Sequence, residues 1–142
     1  DSILDFATWL EEDFNFINNN VFMNQAPFSF DLSVYDIFGI LVQGGTIVFP
    51  EQYKTKDPKH WLKIITQYRI TIWNTVPQLA DLLVDELDMR KYPATYIRLF
   101  LLSGDFISIA LPKRIKKYYP SKLYRDNCRF LSSQKTYSTI VP

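Results

Sequence analysis

Apolar residues along this chain recur in two alternating rhythms. Val21 to Gln25, Thr46 to Phe49, Ile70 to Asn74 and Ile97 to Leu102 are short runs rich in β-branched, aromatic and aliphatic residues, and they predict strands. Between them apolar positions return at three- and four-residue intervals, the helical period. Ile3, Phe6, Trp9 and Leu10 follow a capping-box-like start at Ser2 and Asp5. Ser33 to Val42 predicts a helix ended by Gly44-Gly45, opened by Ser33 as cap with Asp36 three residues on. Asp57-Pro58, a cap followed by proline in the first turn, precedes Trp61, Ile64, Ile65 and Tyr68. Pro77 to Leu87 and Leu111 to Tyr119 predict two more helices, with Asp88 to Thr95 as a polar loop between the first of them and the strand from Ile97. The run from Ile97 to Leu102 shows no alternation at all, as expected of a strand buried on both faces.

Strands alternating with helices of this length predict an α/β fold with βαβ crossovers and a mostly parallel sheet. In such sheets ligands sit beyond the carboxyl ends of the strands. Asp31, Asn74 and Ser103-Gly104 all fall at or just past the ends of strand-like runs. Far apart in sequence, they are expected to line one crevice. A lone carboxylate such as Asp31, between an apolar run and a helix start, is suited to holding a small cation, for example an ammonium group.

Composition narrows the range of roles. A chain of 142 residues fits one modest domain, and 47% apolar with 16% aromatic residues excludes a disordered chain. A net charge of +1 argues against general attraction to nucleic acid or an anionic membrane. The charge is uneven: residues 1–71 hold five Lys/Arg against nine Asp/Glu, and residues 72–142 hold eleven against six. Cys128 is the only cysteine, so no disulfide forms within the chain and no thiolate cluster binds zinc; a reducing, cytoplasmic setting is expected. No apolar run reaches the length of a membrane span, and the first residues lack a signal-peptide pattern. Opening at Asp1 and stopping at Pro142, the chain reads as a single piece of something longer.

Four further constellations are read as structural. His60 and Cys128 have no orienting acid in a recognisable setting, and His60 is expected to be exposed in a helix's first turn. Lys113-Arg114-Ile115-Lys116-Lys117-Tyr118-Tyr119 reads as a solvated helix face, and Glu11-Glu12-Asp13 as a solvent-facing helix end. Trp9, Trp61 and Trp73 fall at apolar-periodic positions and are expected in the core. No catalytic residue and no metal ligand is assigned.

The stretch Phe30-Asp31-Leu32-Ser33, followed by Val34-Tyr35-Asp36-Ile37-Phe38-Gly39, resembles a core motif of the adenylation domains of nonribosomal peptide synthetases, which belong to the adenylate-forming enzymes. The resemblance continues through Gly44-Gly45-Thr46, Ile70-Thr71-Ile72-Trp73-Asn74-Thr75-Val76-Pro77, Leu102-Ser103-Gly104-Asp105 and Leu111-Pro112, in family order. It implies part of the family's larger, N-terminal subdomain, α/β with mostly parallel strands. It also implies amino-acid activation: amino acid and MgATP give an aminoacyl-adenylate and pyrophosphate, and the acyl group then passes to a carrier protein's phosphopantetheine thiol.

Mapped by motif, the amino-acid pocket would draw on Asp31, Leu32, Tyr35, Asn74, Leu101 and Ser103, with Gly104 on the nucleotide side. Asp31 would pair with the substrate's α-ammonium. Leu32, Tyr35 and Leu101 would shape an apolar slot, and Asn74 and Ser103 would add polar contacts. The set resembles that of cysteine-activating domains; sterics alone would also admit serine, alanine or valine. Peptidyl carrier and condensation or cyclisation domains are the implied partners, with no nucleic acid and no membrane. The chain departs from the family over residues 120–142: Leu131-Ser132-Ser133-Gln134-Lys135-Thr136-Tyr137 stands where a Gly-Gly-Ala-Thr-Glu-like motif is expected. With glycines only at 39, 44, 45 and 104, no glycine-rich phosphate loop is formed, so these residues alone are expected to turn over no ATP. The alternatives from other classes are a non-catalytic α/β binding module and a decayed gene copy.

Overall fold

A computed structural model describes residues 8, 12, 19–25, 29, 35–51, 54, 56–90, 96–102, 107–119 and 139–141. Five strands form one sheet: β1 (Val21–Asn24), β2 (Thr46–Val48), β3 (Ile72–Thr75), β4 (Leu99–Leu102) and β5 (Thr139–Val141), in the order β2-β1-β3-β4-β5. The first four run parallel, and β5 adds an antiparallel edge. The α/β class with a mostly parallel sheet is thus as expected. β5 was not foreseen, because it is three residues long and lies in the segment that departs from the family motif.

Three α-helices are described. Helix α1 (Pro58–Tyr68) begins where Asp57 caps it, the carboxylate accepting from the Lys59 N–H at 3.0 Å, with Pro58 in the first turn. It ends at Arg69, whose left-handed backbone (φ 52°) lets its N–H reach back to the Ile65 carbonyl. Helix α2 (Pro77–Arg90) runs three residues past the expected Leu87, so Asp88, Met89 and Arg90 belong to the helix rather than to a loop. Helix α3 is Ala110–Tyr118. The segment expected as a helix from Ser33 is a single π-helical turn, Tyr35–Gly39, packed against β1 and followed by a short helical step at Ile40. The side chains of Tyr35 and Asp36, and all of Ser33, lie outside the described residues. Of the first predicted helix only Thr8 and Glu12 are described, both helical and exposed.

Strand alternation sorts the sheet into two faces. On one, Val48, Met23, Trp73, Phe100 and Leu102 pack with Trp61, Ile64 and Ile65 of α1, Leu83, Val84 and Leu87 of α2, and Leu111 and Ile115 of α3. Ring contacts run through this core from Trp61 to Trp73 (5.5 Å), Trp73 to Phe100 (5.7 Å) and Phe100 to Tyr119 (5.1 Å). Trp61 and Trp73 are therefore core, as expected; Trp9 lies outside the described residues, and Tyr68 is exposed despite its helical spacing. The opposite face carries Phe22, Asn24, Ile72, Asn74, Leu99 and Leu101, all buried.

Register is tied at the amino ends of the strands. The Val21 N–H donates to the Thr71 hydroxyl at 2.9 Å, and the Thr71 N–H donates to the Val21 carbonyl at 2.8 Å. Arg98 donates from Nε and Nη2 to Asn20 Oδ1 at 3.1 and 2.9 Å, while the Asn20 carbonyl accepts from the Thr46 N–H at 3.0 Å. Partial burial pulls the Arg98 guanidinium below its ordinary pKa, yet it retains the Asn20 contacts. A one-residue slip would exchange the two faces, so this node decides which side chains meet at the far end.

The turn into β2 is packed too tightly for a side chain. A Cβ on Gly45 would lie 2.8 Å from Ile40 Cγ2 and 2.9 Å from the Asn20 carbonyl oxygen. Because Ile40 is fully buried and Asn20 O is engaged by Thr46, neither can retreat. Gly45→Ala is expected to lower stability by about 1–3 kcal/mol, read as an earlier urea midpoint.

The basic helix face is not simply solvated. Asp81, Asp85 and Asp88 lie on one side of α2, at the spacing of neighbouring helical turns. Arg114 donates to Asp81 (3.0 Å), Asp85 (2.6 Å) and Asp88 (3.1 Å), and Lys117 (2.7 Å) and Tyr118 also donate to Asp88. The Lys117 bond above all, then those of Tyr118 and Arg114, hold the Asp88 carboxyl well below its ordinary 3.8. A lowered carboxyl stabilises the fold above that ordinary value and loses its contribution as pH falls below it. Melting temperature should therefore drop less steeply in Asp88→Asn than in wild type as pH goes from 5 to 2. Salt should reduce the difference, because these groups are exposed.

His60 is half-buried rather than exposed, with its Nε2 enclosed and unpartnered. Cys128 lies outside the described residues.

Candidate functional site

The connections of the sheet mark one position at its carboxyl end. From β1 the chain moves outward to β2, and from β3 it moves the other way to β4, while β1 and β3 are neighbours. Connections that diverge from adjacent parallel strands leave a crevice between them, the usual ligand site of open α/β sheets. The chain leaves β1 after Asn24 at this end, and it leaves β3 beside it through Val76 into α2.

Register places Asn24 of β1 opposite Asn74 of β3, and Asn74 opposite Leu101 of β4. Parallel strands in register point such residues to the same side, so the three form one row on the face away from the helices. Neighbours in the row are separated by about 4.8 Å, the strand spacing. Their exposures are 3%, 4% and 7%. Two carboxamides and a leucine at the end of a buried apolar face give a small, mostly apolar wall with a few polar groups, the usual character of a small-ligand site.

On the helix side of the same strand ends, Gln25 accepts from the Trp73 indole N–H at 3.0 Å and from the Thr75 hydroxyl at 3.4 Å. This braces the last residues of β3 against β1.

Of the residues predicted for the site, the structure brings Asn74 and Leu101 side by side. Tyr35 has its backbone in the π-helical turn beside β1, an irregularity often found near functional sites. Asp31, Leu32, Ser103 and Gly104 lie outside the described residues, although β4 ends at Leu102, immediately before Ser103. Asn24 was missed. The only available signal was an asparagine ending an otherwise apolar strand, and its partner across the sheet could not be read without the register. Among the described residues no group of three or more His, Cys, Asp or Glu is placed to hold a metal ion, so no magnesium ligand is assigned.

Residues 1–125 match the model of the AMP-binding enzyme family. This chain belongs to that family. Pyochelin synthetase PchF of Pseudomonas aeruginosa is 38% identical to this AMP-binding chain over 105 residues, 72% of the chain and 6% of the synthetase. The D-alanine–D-alanyl carrier protein ligase of Bacillus cytotoxicus is 32% identical over 118 residues, 83% of the chain and 23% of the ligase. The solved nonribosomal peptide synthetase FmoA3, with α-methyl-L-serine-AMP bound, superposes with a TM-score of 0.79 at 32% identity, covering 84% of this chain and 14% of that one. The chain is thus part of an AMP-binding domain related to the adenylation domains of peptide synthetases, and it spans less than a quarter of each of these relatives. No helix among the described residues is long and apolar enough to cross a membrane.

Proposed function

We propose that the chain supplies one wall of the amino-acid pocket in an ATP-dependent amino-acid-activating domain. The observation that carries this reading is the row at the strand ends, where Asn74 and Leu101 stand together beside the crevice between β1 and β3. The family match supports it.

In the proposed reaction, a carboxylate oxygen of the amino acid attacks the α-phosphorus of ATP. The bond to the bridging oxygen breaks, pyrophosphate leaves, and an aminoacyl-adenylate remains. A carrier-protein phosphopantetheine thiol then displaces AMP. This chain's residues act by positioning: Asp31 holds the α-ammonium, while Leu32, Tyr35 and Leu101 close an apolar slot and Asn74 and Ser103 contribute polar contacts, with Gly104 on the nucleotide side. ATP, magnesium and the carrier arm belong to the whole protein, and residues 1–142 alone turn over no ATP.

The substrate is a small amino acid, cysteine first. Support comes from the set Asp31, Leu32, Tyr35, Asn74, Leu101 and Ser103, which resembles that of cysteine-activating domains. Relatives above 30% identity include a ligase named for D-alanine and a synthetase that holds α-methyl-L-serine-AMP, both small substrates. Amino-acid-dependent ATP–pyrophosphate exchange by the full-length protein tests the reading. Cysteine, serine, alanine and valine should lead the panel, with cysteine highest. A preference for a large aromatic or cationic amino acid would reject the pocket, and a lead by another small residue would reject only cysteine.

A further inference from the structure

We propose that Asn24 is a specificity-determining residue of this pocket, its carboxamide offering a hydrogen-bond donor to the substrate's side chain. The inference rests on reading the site as an amino-acid pocket, and it adds a chemical requirement that the other residues leave open.

Three observations carry it. Asn24 is paired with Asn74 in the parallel ladder of β1 and β3, at the carboxyl ends that border the crevice and on the face away from α1, α2 and α3. It is 3% exposed, and its Nδ2 has no hydrogen-bond partner. Buried donors in folded proteins are nearly always paired, so an orphan beside a ligand crevice points to a partner that arrives from outside the chain.

The other orphaned donors lie elsewhere. Asn20 Nδ2 is at the amino ends of the strands, on a side chain whose Oδ1 already accepts from Arg98. Trp61 Nε1 and the Tyr119 hydroxyl belong to the helix-covered core, and His60 Nε2 lies in the first turn of α1. Among the described residues, Asn24 alone combines an orphaned donor with a place in the row at the carboxyl ends.

An amide N–H needs an acceptor. Sterics leave cysteine, serine, alanine and valine as candidates, but only cysteine and serine carry a side-chain atom with a lone pair to offer. Asn24 therefore selects a short side chain ending in a hydroxyl or thiol over an aliphatic one of equal size. A site built around a polar contact discriminates against an analogue lacking it, because the buried group is left unpaired.

The test compares cysteine and serine, each against L-2-aminobutyrate, by ATP–pyrophosphate exchange in the full-length protein. Wild type should favour the better of the two over 2-aminobutyrate by about tenfold or more in kcat/KM. Asn24→Leu should bring that ratio close to one with the KM for ATP unchanged, and Asn24→Ala should behave likewise. A ratio of two substrates on one enzyme sample does not depend on the fraction folded, so a merely structural role would leave it intact. A variant ratio within twofold of wild type overturns the proposal, as does a wild type that fails to discriminate. Exchange with no amino acid at all overturns the pocket reading together with it, whereas full wild-type exchange with an unmoved ratio overturns the role of Asn24 alone.

Discussion

Asp31→Ala is expected to lower kcat/KM for the amino acid by roughly thirty- to five-thousand-fold in the full-length protein. The α-ammonium is the positive charge common to all amino-acid substrates, and on the proposed reading it enters the pocket out of water. On the proposed role of Asp31, removing the counter-charge leaves that cation uncompensated, and truncating one partner of a buried charge pair typically costs about 2–5 kcal/mol. Asp31→Asn keeps the shape and loses the charge, so it should fall nearly as far. The KM for ATP should change little in either variant. Exchange kinetics with amino acid and ATP varied separately make the check, and an equal rise in both KM values would place Asp31 outside the ammonium contact.

The second large effect concerns the sheet. Trp73 is fully buried, touches the rings of Trp61 and Phe100, and donates its indole N–H to Gln25. Trp73→Ala empties the centre of the aromatic row and orphans the Gln25 oxygen from its closest donor. Large aromatic deletions of this kind cost about 3–5 kcal/mol, a large share of a typical domain's 5–15 kcal/mol. Trp73→Phe retains most of the volume and should recover more than half of the loss. Urea unfolding of both variants provides the measurement. Since Asn74 is the next residue along β3, a destabilised Trp73→Ala should also raise the KM for the amino acid.

Much of the fold was legible because local signals agreed with it. Asp57-Pro58 caps the helix it predicts, and the unbroken apolar run at Leu99–Leu102 is a strand buried on both faces. Where local signals were weak, prediction slipped. Asp88 looked like a loop residue by its polarity, yet α2 continues because Arg114, Lys117 and Tyr118 satisfy that polarity from α3. Ser33 to Val42 has helical apolar spacing, but apolar periodicity does not distinguish an α-helix from the π-helical turn seen at Tyr35–Gly39.

For the site, the sequence could place Asn74 and Leu101 near strand ends but not opposite one another. That pairing follows from register, fixed some distance away by Asn20, Thr71 and Arg98. Asn24 was hidden for the same reason, since a single asparagine in a four-residue strand says nothing about what it faces. Similarly, first-turn helical positions are usually exposed, whereas His60 is half-buried.

The most direct test is a crystal structure of the full-length protein bound to cysteinyl-sulfamoyl-adenosine, a non-hydrolysable mimic of the adenylate. The ligand's ammonium should lie within hydrogen-bond distance of the Asp31 carboxylate, and its side chain should rest against Asn74 and Leu101 at the carboxyl ends of β3 and β4. A ligand bound at the amino ends of the strands, or on the helix-covered face beside Trp73, would contradict the account.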